Sequence, residues 1–108
     1  MMPYTVEEIK ARITPVAEKY RLAAVYLFGS YARGDATAAS DVDLLVDLNG
    51  SVVRGLNFVL LYDDLKEALG LPVDLVTMDS LEVPTQRRGQ LRFRETVNRE
   101  RRMIYAAA

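Results

Sequence analysis

The chain contains no cysteine and no histidine. The first absence excludes disulfides and thiolate metal sites, and the second removes the commonest general base together with the softer metal ligands. Any bound metal must therefore be held by oxygen, which points to magnesium or manganese before zinc. No stretch approaches the roughly 18 consecutive apolar residues of a membrane span, and the N-terminus lacks a signal-peptide pattern, so no membrane association is expected and the expected location is cytoplasmic. Internal repeats and low-complexity linkers are missing too. The 108 residues fit a single domain over 1–108.

The composition is that of a soluble globular protein, with 50% hydrophobic and 27% charged residues. Its net charge of -1 conceals an asymmetry: residues 1–83 carry 7 basic and 13 acidic side chains, whereas 84–108 carry 7 basic and 2 acidic. A basic tail is either a solvated helix face or a contact surface for something acidic. With the total near zero and no run of interleaved aromatics, strong nucleic-acid binding is not expected.

Periodicity divides the chain into helices and strands. Thr5 and Glu8 have the spacing of a capping box, and Val6, Ile9, Ile13, Val16, Ala17 and Tyr20 recur at a helical period. A helix over 5–20 follows, with a kink or restart at Pro15. Residues 23–28 read as a buried strand ending at Gly29-Ser30, and 30–34 as the start of a short helix whose free N-H groups suit an anion. A loop of small residues over 34–40 leads to a second strand over 41–48, and Asn49-Gly50-Ser51 is a turn.

Residues 55–69 form a helix with Phe58, Leu61, Tyr62, Leu65, Ala68 and Leu69 on one stripe and Gly70 as its stop. Leu56, Val59 and Leu60 widen that stripe beyond what one sheet face requires, so the helix is either tucked under a loop or open to a partner. A third strand covers 73–77. Asp79-Ser80 offers helix caps, a basic helix covers 84–99 with Leu91 and Val97 as its main apolar contacts, and a short strand ends the chain at 103–105.

Two aspartates open the second strand. Asp41 and Asp43 share one strand face while Val42, Leu44 and Val46 take the other, buried side. The paired carboxylates repel each other unless a divalent ion lies between them. Asp74 interrupts the third strand in the same manner, and placed beside the second strand it completes a cage of three carboxylates suited to two hard cations and in-line phosphoryl chemistry.

Gly29-Ser30, ten residues, then Asp41-Val42-Asp43 resembles the G-S-x10-D-x-D pattern of the DNA polymerase β-like nucleotidyltransferases. Gly29-Ser30-Tyr31-Ala32-Arg33-Gly34 with Ser40-Asp41-Val42-Asp43-Leu44 is similar to their minimal, MNT-type branch. The resemblance implies an α+β (α/β) fold, a small mixed β-sheet with helices packed on one side, which is the polymerase β-like palm alone. It implies that Gly29 and Ser30 bind the phosphates of ATP, and that Asp41 and Asp43 hold two magnesium ions, with manganese the alternative. Asp74 is then the third ligand and the base. Arg33 either contacts a phosphate or forms an ion pair with Asp35 or Asp41.

Members of this branch are commonly antitoxins paired with a HEPN-type ribonuclease toxin, and some transfer AMP from ATP to a tyrosine of that toxin. The resemblance therefore implies a protein adenylyltransferase whose partners are ATP and a HEPN toxin, in a homo- or hetero-oligomer. The wide stripe near Leu56 and the basic helix are the expected contacts. Two other readings stand beside it: an antitoxin that masks its partner by contact alone, and a nucleotidyltransferase acting on a small molecule.

Overall fold

A computed structural model describes residues 3–107. Helix α1 (Val6–Lys19) begins at Thr5, whose side chain accepts from the Glu8 N-H at 3.1 Å while Glu8 accepts from the Thr5 N-H at 3.0 Å. This is the reciprocal capping box expected from the spacing. The helix runs through Pro15 without a restart. Pro15 and Ala11 are both exposed, so the carbonyl deprived of its donor is open to water, and the missing bond is tolerated.

The remaining elements are β1 (Ala24–Phe28), α2 (Gly29–Arg33), β2 (Val42–Asp47), α3 (Leu56–Leu69), β3 (Val73–Thr77), a 3-10 turn (Asp79–Leu81), α4 (Arg88–Glu100) and β4 (Arg102–Ala106). The strands form one sheet in the order β3-β2-β1-β4. β1 is antiparallel to both β2 and β4, whereas β2 is parallel to β3. A parallel pair needs a crossover, and α3 supplies it. The small mixed sheet is thus the one expected.

The apolar residues divide between two sheet faces. Val25, Leu27, Val42, Leu44, Val46, Val73 and Ile104 pack with Ile9, Ile13 and Ala17 of α1 and Leu61, Leu65 and Leu69 of α3 in the main core. On the opposite face Phe28 and Leu45 are buried with Val97 of α4, flanked by Tyr26, Val76, Met78 and Leu81. Helices on one side therefore describe α1 and α3, and α4 is an addition on the other. The cause is legible in β2, where Leu45 is fully buried between Leu44 and Val46 and needs cover of its own.

Other boundaries moved for local reasons. α4 begins at Arg88 rather than 84, because Thr85 accepts from the Arg87 N-H at 3.2 Å and holds the preceding segment in a turn. Asp79-Ser80 caps no long helix; Ser80 instead bonds back to Thr77 and closes β3 into the 3-10 turn. Leu91, expected as an apolar contact of α4, is 41% exposed, as is Phe93, and of the two it is Phe93 that meets Phe28, edge-on with ring centroids 6.0 Å apart. A bulge between Val25 and Tyr26 interrupts the pairing of β1 with β4.

Leu56, Val59 and Leu60 are 76%, 50% and 48% exposed, so among the described residues no loop covers the wide stripe of α3. The opposite stripe anchors the fold. Leu65→Ala is expected to lower unfolding free energy by about 3 kcal/mol, whereas Leu60→Ala should change it by less than about 0.5 kcal/mol. Urea unfolding of both variants checks this, the first showing a lower midpoint at unchanged slope.

Candidate active site

The site is built where β1 turns into α2 and the chain returns as β2. Gly29 has φ +72 and sits so close to Asp43 that an added Cβ would overlap the carboxylate. Only glycine satisfies both conditions. The N-cap of α2 is Phe28, which offers no side-chain cap, so the first N-H groups at Gly29 and Ser30 remain directed off the end of β1. Gly34 closes α2 in the left-handed conformation, and the N-H groups of Gly34 and Asp35 both donate to the Ser30 carbonyl at 3.0 Å.

A compact turn follows. The Thr37 N-H donates to Ser40 Oγ at 2.8 Å and the Ser40 N-H donates to the Thr37 carbonyl at 3.0 Å. This turn delivers Asp41 and the start of β2.

Strand register then sets a row across the sheet. Phe28 pairs with Asp43, and Asp43 pairs with Asp74. Adjacent strands lie about 4.8 Å apart, so the two carboxylates are direct neighbours. Asp41 lies exposed just before β2, two residues upstream of Asp43.

Asp43 is half-buried, and its carboxyl is pushed up from 3.8 to about 6. Burial is the largest cause; the charges of Asp74, Asp41 and Glu100 add to it, and Arg33 opposes it. A half-buried carboxylate crowded by like charges, with oxygen as the only donor type at hand, fits a hard divalent cation. Among the described residues, no three acidic side chains already stand in a metal-ligating group. Asp43 and Asp74 lie in paired strands, and Asp41 lies outside the ladder.

Arg33 forms two ion pairs. Its Nε lies 3.2 Å from Asp35, and one guanidinium nitrogen donates to both oxygens of Glu100 at 3.1 and 3.0 Å. The pair with Asp35 was one of the expected readings; a pair with Asp41 is not formed. Glu100, with a side chain only 14% exposed, went unnoticed in the sequence because it lies 67 positions beyond Arg33. The one available signal was its being one of two acids in a basic tail.

A family model described as nucleotidyltransferase domain matches residues 9–102. The protein adenylyltransferase MntA of Thermococcus cleftensis is 40% identical over 86 residues, covering 76% of this chain and 86% of that protein. A chain solved as a candidate minimal nucleotidyltransferase is 32% identical with a TM-score of 0.65, covering 92% of this chain and 95% of its own. A solved complex of tri-AMPylated Shewanella oneidensis HEPN toxin with MNT antitoxin shares the fold at 19% identity and a TM-score of 0.61, covering 95% of this chain and 74% of that one.

The raised pKa of Asp43 gives a pH test. Because the folded state favours its neutral form, this group's contribution is most favourable near pH 4 and below and declines as pH rises to about 6. In metal-free buffer at pH 7.5 or so, Asp43→Asn is therefore expected to be more stable than wild type by about 1 kcal/mol, screening having reduced the roughly 3 kcal/mol of an undamped displacement. Denaturant unfolding of both proteins across this range checks it: the stability gap should close toward pH 4.

Proposed function

Because the chain belongs to the nucleotidyltransferase domain family, we propose that it is a magnesium-dependent protein adenylyltransferase. In this reading it acts as an antitoxin, moving AMP from ATP to a tyrosine hydroxyl of a partner HEPN-type toxin. The observation that carries the proposal is the row in which the glycine turn, Asp43 and Asp74 stand side by side across three strands.

Each residue has a task. Backbone N-H groups at Gly29 and Ser30 hold the phosphates, and the lack of a side chain at 29 lets Asp43 stand directly beside them. Asp41, Asp43 and Asp74 would hold magnesium, which when bound would supply charge neutralisation and make the acceptor hydroxyl more acidic. The tyrosyl oxygen forms its bond to the α-phosphorus as the bond to the bridging oxygen of the β-phosphate breaks. Pyrophosphate leaves on the Gly29-Ser30 side, and the phenolic proton passes to Asp74, which faces the acceptor and has no histidine to relay through. Arg33 orients α2 against α4 through Glu100.

The exposed face of Leu56, Val59 and Leu60 supports a second reading, masking of the partner by contact alone. The two separate under substitution. With ATP labelled on the α-phosphate, magnesium and the partner toxin, wild type should label the toxin, and Asp41→Asn or Asp43→Asn should reduce labelling by roughly 100-fold or more. Equal labelling by the variants would overturn the catalytic role. Neutralisation by Asp43→Asn as strong as wild type would favour masking.

A further inference from the structure

Arg33 is directed toward the acidic row by its place in α2 and held away from it by Glu100. α2 runs from Gly29 to Arg33, so its last residue stands one turn from its first and on the same face of the helix. A helical side chain leans back toward the N-terminus, over the turn before its own Cα. For Arg33 that turn begins at Gly29, where an added Cβ would overlap the Asp43 carboxylate. The sheet order β3-β2-β1-β4 sets Asp43 and Asp74 on one side of Phe28 and β4 on the other. Glu100 belongs to the β4 side: it ends α4, two residues before Arg102 pairs with Leu27. From there both of its oxygens accept from one Arg33 nitrogen at 3.1 and 3.0 Å, while Asp35 takes Nε at 3.2 Å. The Glu100 side chain is 14% exposed against 45% for Arg33, so the carboxylate is the fixed partner and the guanidinium the movable one.

We propose that Glu100 is a positioning residue that keeps the Arg33 guanidinium off the carboxylates of Asp41, Asp43 and Asp74, leaving them open to a divalent cation. The inference rests on the metal-dependent reading above and adds what guards its cation site. A guanidinium and a metal ion compete for the same oxygens, and a competitor carried on the same chain is present at high effective concentration. Asp43 already feels both members of the pair, Arg33 favouring its ionised form and Glu100 opposing it, so the guanidinium is within electrostatic reach of the row. Among the described residues it nevertheless forms its ion pairs with Asp35 and Glu100 and with no member of the row. Asp35 is exposed and lies beside Arg33 in sequence, which leaves Glu100 as the partner that fixes the direction of the side chain.

The test is a double-substitution cycle read by manganese binding to the full chain without nucleotide, free Mn²⁺ being followed by electron paramagnetic resonance. The uptake that Asp43→Asn removes is the uptake counted. Glu100→Gln should weaken Mn²⁺ binding by roughly tenfold, because the released guanidinium turns to the carboxylates. In an Arg33→Gln background the same change should weaken it by less than about twofold. Loss of a negative charge near the site, acting through its field alone, gives one factor in both backgrounds, and equal factors would overturn the proposal. Arg33→Gln by itself alters an exposed residue and gives an answer even where Glu100→Gln does not fold. Binding within about threefold of wild type is expected for it, whereas tightening by roughly tenfold or more would show that the guanidinium already occupies the row and would overturn the proposal. Wild type that takes up no Mn²⁺ would overturn the metal-dependent reading itself; uptake with equal factors would overturn the role of Glu100 and leave that reading standing.

Discussion

The contact between the Gly29 backbone and the Asp43 carboxylate is the constraint from which the site follows. Pairing Phe28 with Asp43 brings a carboxylate against residue 29, and the space admits no side chain. The ten residues between Ser30 and Asp41 have a structural meaning in this light. They comprise most of α2, the left-handed Gly34 and the bonded turn from Thr37 to Ser40, and this length returns the chain in the one register that works. A slip of one residue in β2 would turn Asp43 toward α1 and α3 and bring Val42 or Leu44 out to the open face.

The two faces of the sheet are unequal, and the inequality suits the chemistry. α1 and α3 bury a large apolar set on one side, whereas the carboxylate side is held by Phe28, Leu45 and Val97 with the edge-on contact of Phe93. Stability is concentrated away from the acidic row, where like charges work against the folded state. Arg33, the nearest cation, does not neutralise that row fully because Asp35 and Glu100 already engage it.

Much of this was readable from the chain. The apolar alternation of β1, β2 and β3 and the stripe of α3 are strong local patterns, and the glycine, serine and first two aspartates lie within fifteen residues or so of one another. Asp74 was legible because a carboxylate inside an apolar strand is conspicuous. What escaped depends on contacts made at long range. Glu100 and Phe93 belong to a helix whose local sequence is mostly basic, and their partners, Arg33 and Phe28, are far upstream. Leu91 misled for the same reason: an apolar residue on a helix is read as buried until the orientation of that helix is known. The start of α4 is not legible in the sequence because Thr85 forms a local bond that propensity does not register.

β4 has a consequence for the order in which the molecule is completed. It is the last strand of the chain, yet it pairs with the first, and β1 becomes an interior strand only through that pairing. During synthesis the glycine turn and both in-register aspartates emerge well before β4 does, so the nascent chain holds every acidic member of the row while one edge of β1 is still unpaired. Closure of a loop that long is slow relative to hairpin formation, and an unpaired apolar strand is the usual template for unwanted association. The docking of residues 102–106, with Glu100 reaching Arg33 just before them, thus marks the step at which β1 passes from an edge strand to an interior one and β4 takes its place at the edge.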